Sequence, residues 1–181
     1  MDAPPLLRDG LLAGVRIVFA HPAEPSAAAL AAGDEAAALG ADVRTLHVDP
    51  GAAEEPAAEH PDGVVLVWDG AGAFAAAGSA SVAGVRAALD GAWLAVRPAA
   101  TAAGAKVLLI APPPGTPHHE AARAGLENLA RTLGIEWARF GIRTVALLPG
   151  ERTPPAAVAQ LVAYLASPAG DYFSGCALTL T

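Results

Sequence analysis

The sequence predicts a doubly wound α/β fold, in which a mostly parallel sheet is covered by helices on both faces. Two observations support this prediction. Strand-like stretches alternate with stretches that favour helix along most of the 181 residues. The strand-like stretches are mainly continuous apolar runs, which is typical of strands buried on both faces. Because parallel crossovers are right-handed, this alternation winds one sheet in both directions from its centre. A chain of this length is expected to form a single domain with a sizeable core.

The element boundaries follow from apolar runs and from the residues that end them. Strands are predicted over residues 15–20, 41–48, 64–68, 106–110, 144–148 and 177–180. Helices are predicted over residues 26–40, 81–99, 118–139 and 155–166. Ser26 is a possible N-cap of the first helix, and Gly40 is its expected end. We also expect a loose arm over residues 1–10, a surface loop over 49–62, a turn over 69–74 and a domain proper over 11–181.

Composition and charge exclude several classes of function. The net charge is −7 and the chain has no basic cluster, which argues against binding to nucleic acid. Cys176 is the single cysteine, so an internal disulfide and a thiolate metal cluster are both excluded. The sequence has no His-x-x-x-His pattern or carboxylate cluster that would indicate a metal site. It also has no apolar run of the roughly 20 residues needed to span a membrane. We therefore expect a cytoplasmic protein without a metal.

The most informative stretch is residues 118–150, which combines a long helix, a turn and a buried strand ending in Pro-Gly. Gly141 suits the left-handed position at the end of the helix. Ala121 and Gly125 are small enough to let a second helix approach closely. One face of the long helix repeats large apolar residues at helical spacing, namely Leu126, Leu129, Leu133 and Trp137.

This stretch resembles the core of the short-chain dehydrogenase/reductase (SDR) family, in the segments ARAGL, EWARFGIR and LLPG. The resemblance covers most of the chain and implies a Rossmann-like, NAD(P)-binding oxidoreductase frame. The family's four catalytic residues do not match. Its Asn falls on Ala88, its Ser on Pro112, its Tyr on His119 and its Lys on Arg123. The resemblance therefore implies the frame of an oxidoreductase whose reactive groups are replaced.

The cofactor motifs of the family are also altered. Its Gly-rich phosphate loop matches FAHPAEPS, where the glycine positions fall on Ala20, Glu24 and Ser26. Glu24 would place a carboxylate where a pyrophosphate should lie, and Pro22 and Pro25 would remove backbone donors. Alternatively, this loop only leads into the helix, and Glu24 complements the positive end of the helix dipole.

The family's N-N-A-G motif matches Trp68, Asp69, Gly70 and Ala71. The bulky indole of Trp68 either fills space that a cofactor would use or lies at the rim of the protein surface. In addition, residues 49–62 stand where the family has a further helix and strand, and no substrate lid follows Gly150. A lid normally excludes water from an active site, so its loss would leave a bound substrate open.

These observations predict a catalytically silent SDR-like subunit without a bound cofactor. Such a subunit would assemble with itself or with an active SDR chain, through helices 81–99 and 120–139, or through helix 155–166 with strand 177–180. One alternative is an NAD(P)-dependent oxidoreductase with a diverged site, in which His119 is the acid and Arg123 binds the ribose. A further reading places His118 and His119 as ordinary solvated residues of the first helical turn. A third function is a small-ligand or dinucleotide sensor, which needs neither Tyr nor Lys.

Overall fold

The protein is described here by a computed structural model, which covers residues 7–22, 24–49, 64–78, 81–97 and 104–181. Within these residues, six strands form one parallel sheet in the order β2-β1-β3-β4-β5-β6. The strands are β1 (Arg16–His21), β2 (Asp42–His47), β3 (Val64–Asp69), β4 (Lys106–Ile110), β5 (Arg143–Leu148) and β6 (Cys176–Thr179). The predicted doubly wound, Rossmann-like fold is therefore confirmed.

Helices cover both faces of this sheet. They are α1 (Ala27–Ala38), α2 (Gly70–Ala76), α3 (Val82–Val96), α4 (His119–Glu136) and α5 (Pro155–Ala166). Helices α1 and α5 pack together over one core cluster, and α3 and α4 cover a second cluster on the opposite face. We call these the α1 face and the α3 face. None of the helices in the described residues is both long and apolar enough to cross a membrane.

One predicted element is wrong. Residues 69–74 were expected to form a turn, but Gly70–Ala76 is the short helix α2, which Asp69 caps by accepting a hydrogen bond from the Gly72 N–H. Both glycines of this helix lie where a side chain would not fit. A Cβ on Gly70 would lie 2.8 Å from the Ile110 carbonyl oxygen.

Other predicted boundaries move by a few residues. The predicted helix over 118–139 ends at Glu136 and continues as a 3₁₀ turn, Ala138–Phe140, before Gly141 takes the expected left-handed conformation with φ 71°. The helix predicted over 81–99 extends to Val96, and residues 98–99 lie outside the described part. Most of the predicted loop 49–62 and residues 1–6 of the predicted arm also lie outside it.

The predicted apolar face of α4 forms part of the core. Leu126, Leu133 and Trp137 are buried, and Leu129 packs against the same cluster. The small residue that admits a second helix is Gly125, where an added Cβ would lie 2.6 Å from the Leu89 side chain of α3. The helix that approaches closely is therefore α3 of the same chain.

Candidate functional site

The candidate site lies at the carboxyl end of the sheet, between β1 and β3. From β1 the chain moves to β2 on one side, and β3 then pairs with β1 on the other side. In doubly wound folds this reversal opens a crevice at the carboxyl ends of the strands, and ligands bind there. The residues that follow β1 and β3 therefore decide what this site accepts.

The crevice is closed by the side chain of Asp69, the last residue of β3. Its carboxylate is 1% exposed. Oδ2 accepts a hydrogen bond from the Ser26 backbone N–H at 2.6 Å, and Oδ1 accepts from Ser26 Oγ at 2.8 Å and from the Gly72 N–H at 2.9 Å. Ser26 in turn caps α1 by accepting from the Ala29 N–H. One carboxylate thus satisfies donors at the starts of both α1 and α2, where an anionic ligand would otherwise bind.

Glu24 does not occupy this position. Glu24 is exposed and lies two residues before the Ser26 cap. The first turn of α1 itself contains no acidic residue. Ala20, another of the predicted positions, is buried at the end of β1, and the acid that contacts the start of α1 is Asp69. The sequence contains a signal for Asp69 as the N-cap of α2, because Asp is a preferred N-cap residue and here follows the predicted strand 64–68.

Trp68 lies inside the core, so its predicted alternative place at the surface rim is wrong. The residue is fully buried, and its indole Nε1–H donates to the Ala88 carbonyl oxygen at 2.9 Å. The ring fills the space between β3 and α3. Its acceptor, Ala88, is the position that matches the family's catalytic Asn. Gly70 follows with no room for a side chain, since an added Cβ would lie 2.8 Å from Leu126.

Arg123 connects the ends of two neighbouring strands. Its Nη1 donates to the carbonyl oxygens of Pro112, after β4, and of Pro149, after β5, at 2.8 and 2.7 Å. Partial burial lowers the pKa of the Arg123 guanidinium, while nearby Glu127 acts in the opposite direction. Two of the four family catalytic positions, Pro112 and Arg123, are therefore in contact. The Arg123 Nη1 hydrogen atoms bind the protein backbone.

His119 begins α4 and is half-buried. Its Nδ1 lies 2.5 Å from the Thr116 carbonyl oxygen, which makes Nδ1 the protonated donor and leaves the lone pair on Nε2. The preceding His118 is exposed and has a positive φ of 64°, an unusual conformation for a residue other than glycine. Ala88, the remaining family position, lies on the fully buried side of α3 and cannot contact a ligand at this edge.

The open space at this edge is divided into a small cleft and a larger cavity, which Pro22 and Asp49 border. An apolar cleft of about 180 Å³ runs along the carboxyl ends of β3, β4 and β5, between Ser26, Ala71, Ile110, Pro149 and Thr153. A larger cavity of about 480 Å³ lies between α2 and α3, bordered by alanines and by Asp49, Arg86 and Asp90. In the described part of the chain, His, Cys, Asp and Glu side chains form no group of three or more that could hold a metal ion.

Comparison with solved structures identifies the fold. The citronellol catabolism dehydrogenase AtuB of Pseudomonas aeruginosa aligns with a TM-score of 0.66 and 22% identity, over 97% of this chain and 96% of that chain. A short chain dehydrogenase from Mycobacterium smegmatis aligns with a TM-score of 0.67 and 19% identity, over 99% and 97%. The chain has an SDR-like fold. BdcA in complex with NADPH aligns with a TM-score of 0.69 and 16% identity, over 94% of each chain.

Sequence comparison adds a relative that matches only part of the chain. A probable 2,4-dienoyl-CoA reductase of Bacillus subtilis is 33% identical over a match that covers 36% of this chain and 37% of the relative. The matched region thus spans little more than a third of that reductase. The sequence matches no protein-family model. The resemblance to the SDR family is confirmed as an oxidoreductase-like fold.

Proposed function

We propose that this SDR-like chain is catalytically silent, binds no dinucleotide, and acts as an assembling subunit. The observation that carries the proposal is the buried Asp69 carboxylate at the starts of α1 and α2. A pyrophosphate at this position would place like charges a few ångströms apart in a desolvated crevice. This repulsion would weaken dinucleotide binding by several kcal/mol, unless the Asp69 side chain moved away.

The division of the open space supports the same proposal. The cavity of about 480 Å³ is large enough for part of a ligand, but its lining includes none of Pro112, His119 and Arg123. Pockets for ligands of drug size have volumes of about 300–1,000 Å³, whereas the cleft beside Ser26 and Pro149 measures about 180 Å³. NAD(P) is larger than such ligands. It would have to separate the Ser26–Asp69 contact and the segments after β4 and β5 that Arg123 holds together.

The residues at the family's catalytic positions also support the proposal that the chain lacks catalytic activity. Pro112 and Ala88 carry no side-chain donor. Arg123 donates to two backbone carbonyls, so it is not positioned for a ribose. A reductase also needs a proton donor beside its hydride acceptor, which in the SDR family is a Tyr whose pKa a Lys lowers. His119 and Arg123 do not reproduce that pair.

A second candidate is an NAD(P)-dependent oxidoreductase with a diverged site. The observations that favour it are the bound NADPH of the structural neighbour BdcA and the fixed orientation of His119. With its Nδ1–H held by Thr116, the imidazole could exchange a proton only through Nε2. In this case NAD(P)H oxidation should depend on His119, and His119→Gln should abolish it.

Thermal unfolding with and without dinucleotides tests the proposal. The wild-type chain should melt at the same temperature with 1 mM NAD⁺, NADH, NADP⁺ or NADPH as without ligand. A ligand at about 100 times its dissociation constant would add about 2.7 kcal/mol, or roughly 5 °C for a domain of this size. A shift of that size would overturn the silent-subunit proposal. Asp69→Asn, compared with Glu24→Gln in the segment before α1, shows whether any gain of binding is specific to the buried acid.

The assembling role is supported by the outer surface of α3 and α4. Val82 is 62% exposed and Trp93 is 45% exposed, both on α3, and Leu89 lies half-buried between them against Gly125 of α4. Apolar side chains of this size at one helix pair mark a surface that another protein covers. We propose that a second copy or an active SDR chain packs there. The surface of α5 with β6 is the other candidate, because Tyr164 is 37% exposed.

A further inference from the structure

Two histidines end the two neighbouring strands β1 and β2 in register. His21 and His47 are direct partners in the parallel pairing. Side chains alternate between the faces of a strand. Ile17 and Phe19 belong to the core on the α1 face, so His21 points to that face as well. Val43 packs against the same cluster, which places His47 on the same face. The two imidazoles therefore lie side by side at the carboxyl edge.

The ring of His21 has the orientation of a metal ligand. Its Nδ1 lies 2.5 Å from the Pro22 carbonyl oxygen, so Nδ1 is the donor of this contact and Nε2 is the nitrogen left to bind a ligand. Histidines that bind metal ions commonly donate their other ring N–H to a backbone carbonyl in this way. His47 is exposed, and within the described residues it makes no hydrogen bond or ion pair that would occupy its ring.

The surrounding charges permit a cation. Arg16 and Arg44 are the arginines of this strand pair, and both contact the Asp42 carboxylate, at 3.1 and 2.9 Å. By strand alternation Asp42 points to the face opposite the histidines, and its carboxylate partly offsets both positive charges. The groove of about 260 Å³ beside His21 is bordered by one charge of each sign, Asp34 of α1 and Arg44, and the Arg44 guanidinium is paired with Asp42.

We propose that His21 and His47 form a two-histidine anchor for a divalent transition-metal ion. Imidazole nitrogen suits Cu²⁺, Ni²⁺ and Zn²⁺, whereas Mg²⁺ and Ca²⁺ prefer oxygen ligands. No third His, Cys, Asp or Glu of the described residues is placed as a ligand, so water or an external ligand completes the coordination. The anchor is independent of the dinucleotide crevice, since it uses neither Asp69 nor Ser26.

Calorimetric titration of the full chain with Cu²⁺, Ni²⁺, Zn²⁺ and Mg²⁺ tests this anchor. One ion per chain should bind, with Cu²⁺ tightest and Mg²⁺ not at all. His21→Asn and His47→Asn should each weaken Ni²⁺ binding by at least about tenfold, because even losing a group that only orients a metal ligand costs about 10- to 100-fold. His118→Asn and His119→Asn, which change histidines of α4, should leave the affinity unchanged.

Two further readouts make the result decisive. Circular dichroism and melting without metal show whether each variant is folded, since both histidines end strands and contribute little to the core. Electron paramagnetic resonance of the Cu²⁺ complex should show two coordinated imidazole nitrogens in wild type and one in either variant. Absence of Ni²⁺ and Cu²⁺ binding at millimolar concentration would overturn the proposal, as would unchanged affinity in both variants or loss in His118→Asn.

Discussion

A single buried carboxylate, that of Asp69, joins β3 to the starts of α1 and α2. Asp69→Ala should therefore lower the free energy of unfolding by about 2–4 kcal/mol, because it leaves the Ser26 and Gly72 N–H groups without an acceptor and removes a helix cap. Asp69→Asn should cost less, since one amide oxygen remains. Urea unfolding measures both values. Glu24→Gln is the matched control, and equal stability of Asp69→Ala and wild type would contradict the role.

A second residue-scale prediction concerns Lys106 and Asp171 at the opposite edge of the sheet. Lys106 Nζ donates to the Leu165, Ala166 and Ser167 carbonyls at the end of α5 and contacts Asp171 Oδ1 at 2.7 Å. This hydrogen bond from Lys106 holds the pKa of the Asp171 carboxyl below its ordinary value of 3.8. The folded state thus binds the proton less readily than the unfolded chain does.

The sign of the pH dependence follows from that lowered pKa. The Asp171 contribution to stability is present above pH 3.8 and is lost as the pH falls through the lower folded value. Asp171→Asn should melt below wild type at pH 7, and the difference should disappear as the pH falls from 4 toward 2. Because Asp171 is half-exposed, the effect at pH 7 should stay within about 1 kcal/mol. A difference that does not change with pH would contradict the ion pair.

At the scale of elements, two helix-interior glycines should respond oppositely to alanine. Gly33 of α1 has open space around its missing Cβ, so Gly33→Ala should raise the free energy of unfolding by about 0.5–1 kcal/mol. In α4, a Cβ on Gly134 would lie 2.4 Å from Gly175 Cα, in the segment before β6. Gly134→Ala should therefore cost about 1–3 kcal/mol.

Thermal melts of the two variants check this contrast, since both substitutions replace a helical glycine by the same residue. If Gly134→Ala were as stable as wild type, α4 would not approach the chain before β6 as closely as the structure shows. If Gly33→Ala were destabilised, another part of the protein would have to contact α1 at Gly33, where the structure shows open space. The pair therefore separates helix propensity from packing.

Elements with strong local signals were the predictable part of the fold. The strand 106–110 and the helix 155–166 were predicted to the residue, because prolines follow the strand and precede the helix. Helix α2 was missed because two glycines in seven residues favour a turn locally. What stabilises it is tertiary: the Asp69 cap and the tight contact of Gly70 with Ile110.

The candidate site was less predictable for the same reason. The sequence identified Ser26 as a cap and Asp69 as an altered motif position, but their contact joins residues 43 positions apart. No local pattern reports which of two acids, Glu24 or Asp69, reaches the start of α1. The pairing of His21 with His47 likewise depends on strand register, and only the parallel β1–β2 ladder reveals it.

At the scale of the whole molecule, the final prediction concerns assembly. The exposed Val82 and Trp93 of α3 form an apolar surface beside α4. In a two-fold dimer, the same surface of a second chain can pack against it. A stable dimer needs an interface of about 1,000 Å² or more, which two packed helices per chain can supply. We expect the purified chain to sediment as a dimer at micromolar concentration. Trp93→Glu should convert it to a folded monomer, because the charge would be buried unpaired at the centre of the interface.

Tyr164→Glu on α5 is the matched variant for the second candidate surface, since Tyr164 is exposed to a similar degree at 37%. If Tyr164→Glu alone yields a monomer, the partner packs against α5 and β6. A wild-type monomer at micromolar concentration would contradict self-assembly and leave an active SDR chain as the proposed partner. Co-expression of the two chains would then test that partnership, and Trp93→Glu should release this chain from the complex.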